Sequence, residues 1–193
     1  GSSLGKHPYK DLIPTKTDLL VLGDGWLSGL PKNLLKPLIS PRLRERLDPQ
    51  AITFLGGLGD DLASRVLPIG VSPWVLLFRN GEDWIKEAEL RWDVLLDDDL
   101  KGRVVLPQSP LLIMTIADQM EASDALLKLR GQAIATDDRH AINWLLQGDA
   151  KVAVVPLQNC LSALRADSRL SIAMPQTGVP LNWTILVASL HGK

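Results

Sequence analysis

One cysteine, Cys160, one tyrosine, two phenylalanines and three histidines stand in 193 residues, and each shortage closes off a class of function. A lone cysteine excludes an intramolecular disulfide and says little about compartment. His7, His140 and His191 lie far apart, with no cysteine, histidine or carboxylate at metal-ligand spacing, so no metal site is expected. No apolar run nears the ~18 residues of a membrane span, and no basic segment followed by an apolar one opens the chain. Gly1-Ser2-Ser3 reads as a cloning remnant, so the missing leader does not argue for the cytosol. Neither charge dominates: 21 Lys and Arg against 22 Asp and Glu give a net charge of −1. Because the two signs are interspersed, neither nucleic acid nor an anionic membrane is an expected partner.

Chemistry-bearing motifs are also scarce. "GGLGDD" lacks the lysine and the preceding apolar run of a phosphate loop. Asp97, Asp98 and Asp99 lack the alternate spacing of a calcium loop. Ser109, Asp137 and His140 are the residue types of a hydrolytic triad, but no G-x-S-x-G elbow surrounds the serine, which reads as a helix cap. No catalysis and no cofactor are expected.

Short apolar runs alternating with helical patterns predict an α/β fold with mostly parallel sheets flanked by helices. The strand candidates are Asp18–Leu22, Trp74–Arg79, Arg103–Leu106, Gln132–Ala135, Lys151–Val155, Leu170–Ala173 and Thr184–Ala188. Ser40-Pro41 and Ser109-Pro110 each put a capping hydroxyl before a proline at the first helical position. Asp137 or Asp138 is placed to cap "RHAINWLLQ", which Gly148 stops. The stretches "GGLG" (56–59) and "PQTGVP" (175–180) interrupt the pattern as candidate boundaries between lobes.

Polar residues collect where strands end. Gly23, Asp24 and Trp26 follow "DLLVL", Gln108 and Ser109 follow "RVVLP", and Gln158 and Asn159 follow "KVAVVP". That edge of an open α/β sheet is where small ligands bind. Six tryptophans are many beside so few other aromatics. Trp84, Trp92 and Trp144 sit in amphipathic stretches that pack, whereas Trp26, Trp74 and Trp183 stand at strand ends, where an indole stacks either on a ligand or under a loop.

The segment "WDVLLDDDLKGRVVLPQSP" resembles the W-x-D-L-L-D-P-x-L-K-G segment, followed by a basic and a β-branched residue, of type II periplasmic solute-binding proteins. The similarity is to their spermidine/putrescine-binding branch, which serves ABC importers. "TDLLVLGDGWLSGL" looks like that family's first-lobe strand and ligand loop, "VLPIGVSPWVLLFRN" like the crossing into the second lobe, and "GVPLNWTILVAS" like the return strand. The resemblance implies two lobes, a shortened first one (residues 1–78 and 184–193) and a second (79–183). Hinge segments would lie near 71–79 and 178–188. It implies a small-molecule solute, an ABC permease as partner, a periplasmic or lipid-anchored location and no enzyme activity. By position it implies ligand contacts from Gly23, Asp24, Trp26, Ser72, Trp74, Gln108, Ser109, Asn182 and Trp183, beside Gln158 and Asn159 from the strand-end reading. Thr184 stands where a polyamine binder carries an acid, and the Gln108 loop has no carboxylate of its own. A zwitterionic, neutral or anionic solute therefore stands beside a polyamine. Other bearers of this architecture are the effector-sensing domain of a LysR-type regulator, a porphobilinogen deaminase relative (disfavoured by the setting of Cys160) and a degenerate lobe acting through protein contacts.

Overall fold

Ser40 and Ser109 behave as their place before a proline requires. Each side chain accepts a backbone N–H three residues on, from Leu43 at 3.2 Å and from Leu112 at 3.3 Å, and so starts a helix. The computed structural model describes residues 19–190, which divide into two compact units, 19–71 with 183–190 and 72–182.

The first unit contains β1 (Leu19–Gly23), β2 (Leu35–Lys36), α1 (Pro41–Arg44), α2 (Pro49–Gly57) and α3 (Asp60–Ala63). It also holds the start of β3 (Val66–Arg79) and most of the last strand (Leu181–Ser189). That last strand pairs antiparallel with β1, from Leu19↔Ala188 to Gly23↔Thr184, and with β2 at Leu35↔Ser189. Alternation puts Leu20, Leu22, Ile185 and Val187 in one cluster with Leu55, Leu62 and Ala63 of the helices. On the other face Leu19 and Val21 stay exposed.

The second unit adds α4 (Ile85–Ala88), β4 (Val104–Leu106), α5 (Pro110–Ala117), α6 (Ala125–Gln132) and β5 (Ala133–Thr136). After them come α7 (Ala141–Gln147), β6 (Val152–Pro156), α8 (Leu157–Ala166) and β7 (Leu170–Ala173), and the last strand is β8. Trp74, Leu76 and Phe78 alternate into a cluster with Trp92, Ile116 and Leu129; Val75 and Leu77 alternate into another with Ala141, Leu145 and Cys160. Helices thus cover both faces of this sheet, which is why its strands read as continuous apolar runs.

The mixed α/β class stands, but the expectation of mostly parallel pairing needs correction. β4 runs parallel to β5 and β6, whereas β3 is antiparallel to both β6 and β7, and β8 to β1 and β2. Parallel neighbours need a helical crossover. α5, α6 and α7 supply one for β4, β5 and β6 only.

The order of residues 92–110 follows from these needs. A 3₁₀ turn, Trp92–Leu96, buries Trp92, Val94 and Leu95. The Asp97 carboxylate accepts the N–H of Asp99 at 2.8 Å and starts a second turn, Gly102 reverses the chain at φ +68°, and β4 enters the core. "GGLG" is local punctuation inside the first unit: Gly56-Gly57 end α2, and Gly59 precedes α3. "PQTGVP" lies inside the second, held by Gln176 N–H on the Glu89 carbonyl at 2.9 Å.

Candidate functional site

In the second unit the three parallel strands end along one edge. Because β3 is antiparallel to β6, with Trp74 opposite Pro156, the start of its second half comes to that edge too. Ser72, Gln108, Ser109, Asp137, Asp138, Gln158 and Asn159 are therefore gathered there by topology, and α5 and α8 direct the positive ends of their dipoles toward it.

Hydrogen bonds fix the backbone of this edge. Ser72 is buried, and its Oγ accepts the N–H of Gln158 at 3.0 Å, tying β3 to the first turn of α8. Asp138 Oδ1 accepts the N–H of Gln108 at 2.9 Å, and the Leu106 carbonyl accepts the N–H of Asp137 at 3.0 Å, so the loops after β4 and β5 are tied to each other. Ser109 is occupied as the cap of α5. Gln108, Gln158 and Asn159 are exposed.

The two adjacent acids differ sharply. Asp137 Oδ1 accepts the N–H groups of Arg139 and His140, each at 2.9 Å, and Oδ2 the indole N–H of Trp144 at 3.3 Å. These bonds, that from His140 foremost, hold its pKa below the ordinary value. Asp137 is a bracket for the start of α7. Asp138 is exposed as a residue, yet partial desolvation of its carboxyl pushes the pKa up, against the Gln108 hydrogen bond, and the Asp137 charge adds to the rise.

In the first unit, Gly23 ends β1 opposite Thr184. Asp24 opens a 3₁₀ turn, half-buried; burial raises its pKa, while backbone N–H groups of Trp183 and Gly25 pull the other way. Trp26 is 38% exposed. Trp183 is only 8% exposed and lies stacked on Phe54, ring centroids 4.8 Å apart. It also borders a groove of about 660 Å³ with Arg46, Asp48, Ile69 and Val71, a feature no sequence signal marks.

Trp74 is buried in the core, its N–H bonded to the Pro180 carbonyl at 2.9 Å, and Asn182 is half-buried on β8. Sequence reasoning did not single out Asp138 as a candidate site residue. Its signal was present: an acid just past "QAIA" obeys the strand-end rule that singles out Gln108. Among the described residues no group of three or more His, Cys, Asp or Glu is placed to hold a metal, and no helix is long and apolar enough to cross a membrane. His7 and His191 lie outside the described residues.

No protein-family model and no curated protein matches the chain. Solved structures do. An ABC transporter structure from Clostridium perfringens superposes with a TM-score of 0.66 at 14% identity, over 92% of this chain and 60% of its own. The spermidine/putrescine ABC transporter substrate-binding protein of Streptococcus pneumoniae gives 0.62 at 15%, over 92% and 59%. The ferric binding protein of Campylobacter jejuni gives 0.63 at 18%, over 92% and 61%. At such identities the likeness concerns architecture, and the chain spans about three fifths of these proteins' length. Its fold is that of the type II periplasmic binding proteins, as the segment at Trp92 implied.

Proposed function

We propose that the chain is the solute-binding component of an ABC importer, acting outside the cytoplasm and without catalysis, and that it recognises a small polar solute at the strand-end edge of residues 72–182. The observation that carries this reading is the convergence of Gln108, Asp138, Gln158 and Asn159 on an edge whose backbone is fixed by Ser72 and Asp138. A backbone already held by hydrogen bonds needs no further ordering when a ligand arrives, so only the side chains lose freedom. Asp24 and Trp26 are the recognition residues proposed in the first unit. The crossings near 71–79 and 178–188 serve as hinges, and a permease receives the loaded form.

Asp138 changes the expected solute. The Gln108 loop brings no acid of its own, but Asp138, bonded to it, supplies one. A donor-rich solute, an ammonium compound such as a polyamine or a polyhydroxylated one, fits Asp138 better than an anion does.

Calorimetry and thermal shift against polyamines, amino acids, sugars and oxyanions test the proposal. A cognate solute at 100 times its Kd adds roughly 2.7 kcal/mol to the folded state. Asp138→Asn should weaken that solute at least about tenfold, the worth of one charge-assisted hydrogen bond. A panel that moves neither signal, or a solute indifferent to Asp138, defeats the reading.

A further inference from the structure

The helix-covered face of the first unit is left open at one place. Gly70 lies alongside Thr184: a methyl group placed on it would come 3.6 Å from Thr184 Cβ. Alternation then turns its neighbours Ile69 and Val71 to the opposite face, the one that carries Trp183. There they are 50% and 43% exposed, although Val66, Ile185 and Val187 on the same face are fully buried. Phe54 of α2 stacks on Trp183, and residues 46–51, which lead into that helix, close the other side of the groove of about 660 Å³. The groove also holds one charge of each sign, Arg46 and Asp48. Among the described residues neither is in an ion pair. The Arg46 guanidinium donates to none of them, and Asp48 uses Oδ1 alone, accepting the N–H of Gln50 at 2.8 Å to start α2.

A groove of this volume is of the size that takes a small molecule, with apolar walls for affinity and a few polar groups for orientation. The charges narrow the choice of occupant. For a solute of one charge, cation or anion, every attraction to Arg46 or Asp48 comes with a repulsion from the other. A zwitterion meets both with the right sign. We propose that this groove binds a free amino acid with a large apolar side chain. Its carboxylate meets the Arg46 guanidinium, its ammonium meets Oδ2 of Asp48, and its side chain lies over Ile69, Val71 and Trp183. The site is built from the first unit alone and does not depend on the solute proposed at the strand-end edge of residues 72–182.

The test is calorimetry on the full chain with L-leucine and L-phenylalanine as probes, at least one of which should bind with a Kd below about 1 mM. The amide of that amino acid, which lacks the carboxylate, and its N-acetyl derivative, which lacks the ammonium, should each bind at least about tenfold more weakly, the worth of one charge-assisted hydrogen bond. Arg46→Gln and Asp48→Asn should each weaken the amino acid by a similar factor. Both variants keep the fold, because Arg46 is exposed and asparagine caps a helix as well as aspartate does. Asp138→Asn should leave this Kd unchanged, so a response that follows Arg46 and Asp48 belongs to the groove and counts neither for nor against the strand-end edge. Three results overturn the proposal: no binding of either probe at millimolar concentration, equal binding of the amide or the N-acetyl derivative, or binding that falls in Asp138→Asn and not in Arg46→Gln. The last of these would move the amino acid to the strand-end edge.

Discussion

The hydroxyl of Ser72 accepts the backbone N–H of Gln158, 86 residues away in sequence, at 3.0 Å. It meets one of the N–H groups that the first turn of α8 leaves without a helical partner. Ser72→Ala keeps the packing and removes the acceptor. Stability should fall by about 1 kcal/mol in chemical denaturation, the net worth of one hydrogen bond, and the Gln158 amide should exchange faster. A neutral substitution with unchanged exchange would show that the contact contributes nothing to holding the edge.

The acids proposed to meet solute carry a stability cost at neutral pH. Burial raises the folded pKa of both Asp24 and Asp138 above the ordinary 3.8. A raised acid favours folding in its neutral form, so its contribution is complete below 3.8 and is lost as pH rises through the folded value. Asp24→Asn and Asp138→Asn should each raise Tm at about pH 7 relative to the wild type, and the gain should shrink toward about pH 3. If Asp138→Asn lowers Tm at neutral pH, its carboxylate is a structural bracket like Asp137, and the proposed site loses its anionic group.

Asp167 titrates in the opposite sense. The side-chain hydrogen bond from Arg169 comes first among the causes that bring its pKa down to about 2; the closest contact, Arg169 Nη2 to Oδ2, is 2.6 Å. The folded pKa is lowered, so the stabilisation is present above 3.8 and fades as pH falls through about 2. Asp167→Asn should reduce stability at neutral pH and flatten the acid limb of a Tm-against-pH curve over that window. An unchanged limb would mean that this exposed pair is screened to insignificance.

Sequence and structure agree most where local signals and tertiary packing make the same demand. Ser40, Ser109 and Gly148 mark helix ends because a capping hydroxyl, or a left-handed residue at φ +88°, is needed whatever the helix packs on. The first half of β3 escapes sequence reading because Pro68, Gly70 and Pro73 are punctuation by composition, and only pairing with distant partners holds that stretch extended. Trp74 and Trp183 mislead for a related reason. Their neighbours are those of a loop, but the alternation runs Trp74-Leu76-Phe78 and Trp183-Ile185-Val187, and both indoles continue a core face. The approach of Asp138 to Gln108 depends on β4 and β5 being neighbours, which no local pattern encodes.

The two units should differ in how readily they open. Val104 is paired on both sides, with Ala133 of β5 and Val152 of β6. Ala153 and Val154 sit on β6 between β4 and β3, and all three residues are at most 1% exposed. Helices cover both faces of that sheet. Leu20 and Leu186 have a different setting. β1 pairs with β8 alone among the described strands, Leu20 is half-buried, and Leu19 and Val21 are each more than half exposed. Strands with few buried apolar neighbours open at low free energy, by local rather than global unfolding. Native-state hydrogen exchange should therefore show the Val104, Ala153 and Val154 amides protected about a hundredfold more than those of Leu20 and Leu186, a difference of ~2.8 kcal/mol. Adding denaturant separates local from global opening: exchange at Leu20 should hardly respond, whereas that at Val154 should accelerate with the slope of complete unfolding. Equal protection with equal slopes would mean that the face bearing Leu19 and Val21 is no weak point, and that residues 19–71 and 183–190 open only when the whole chain does.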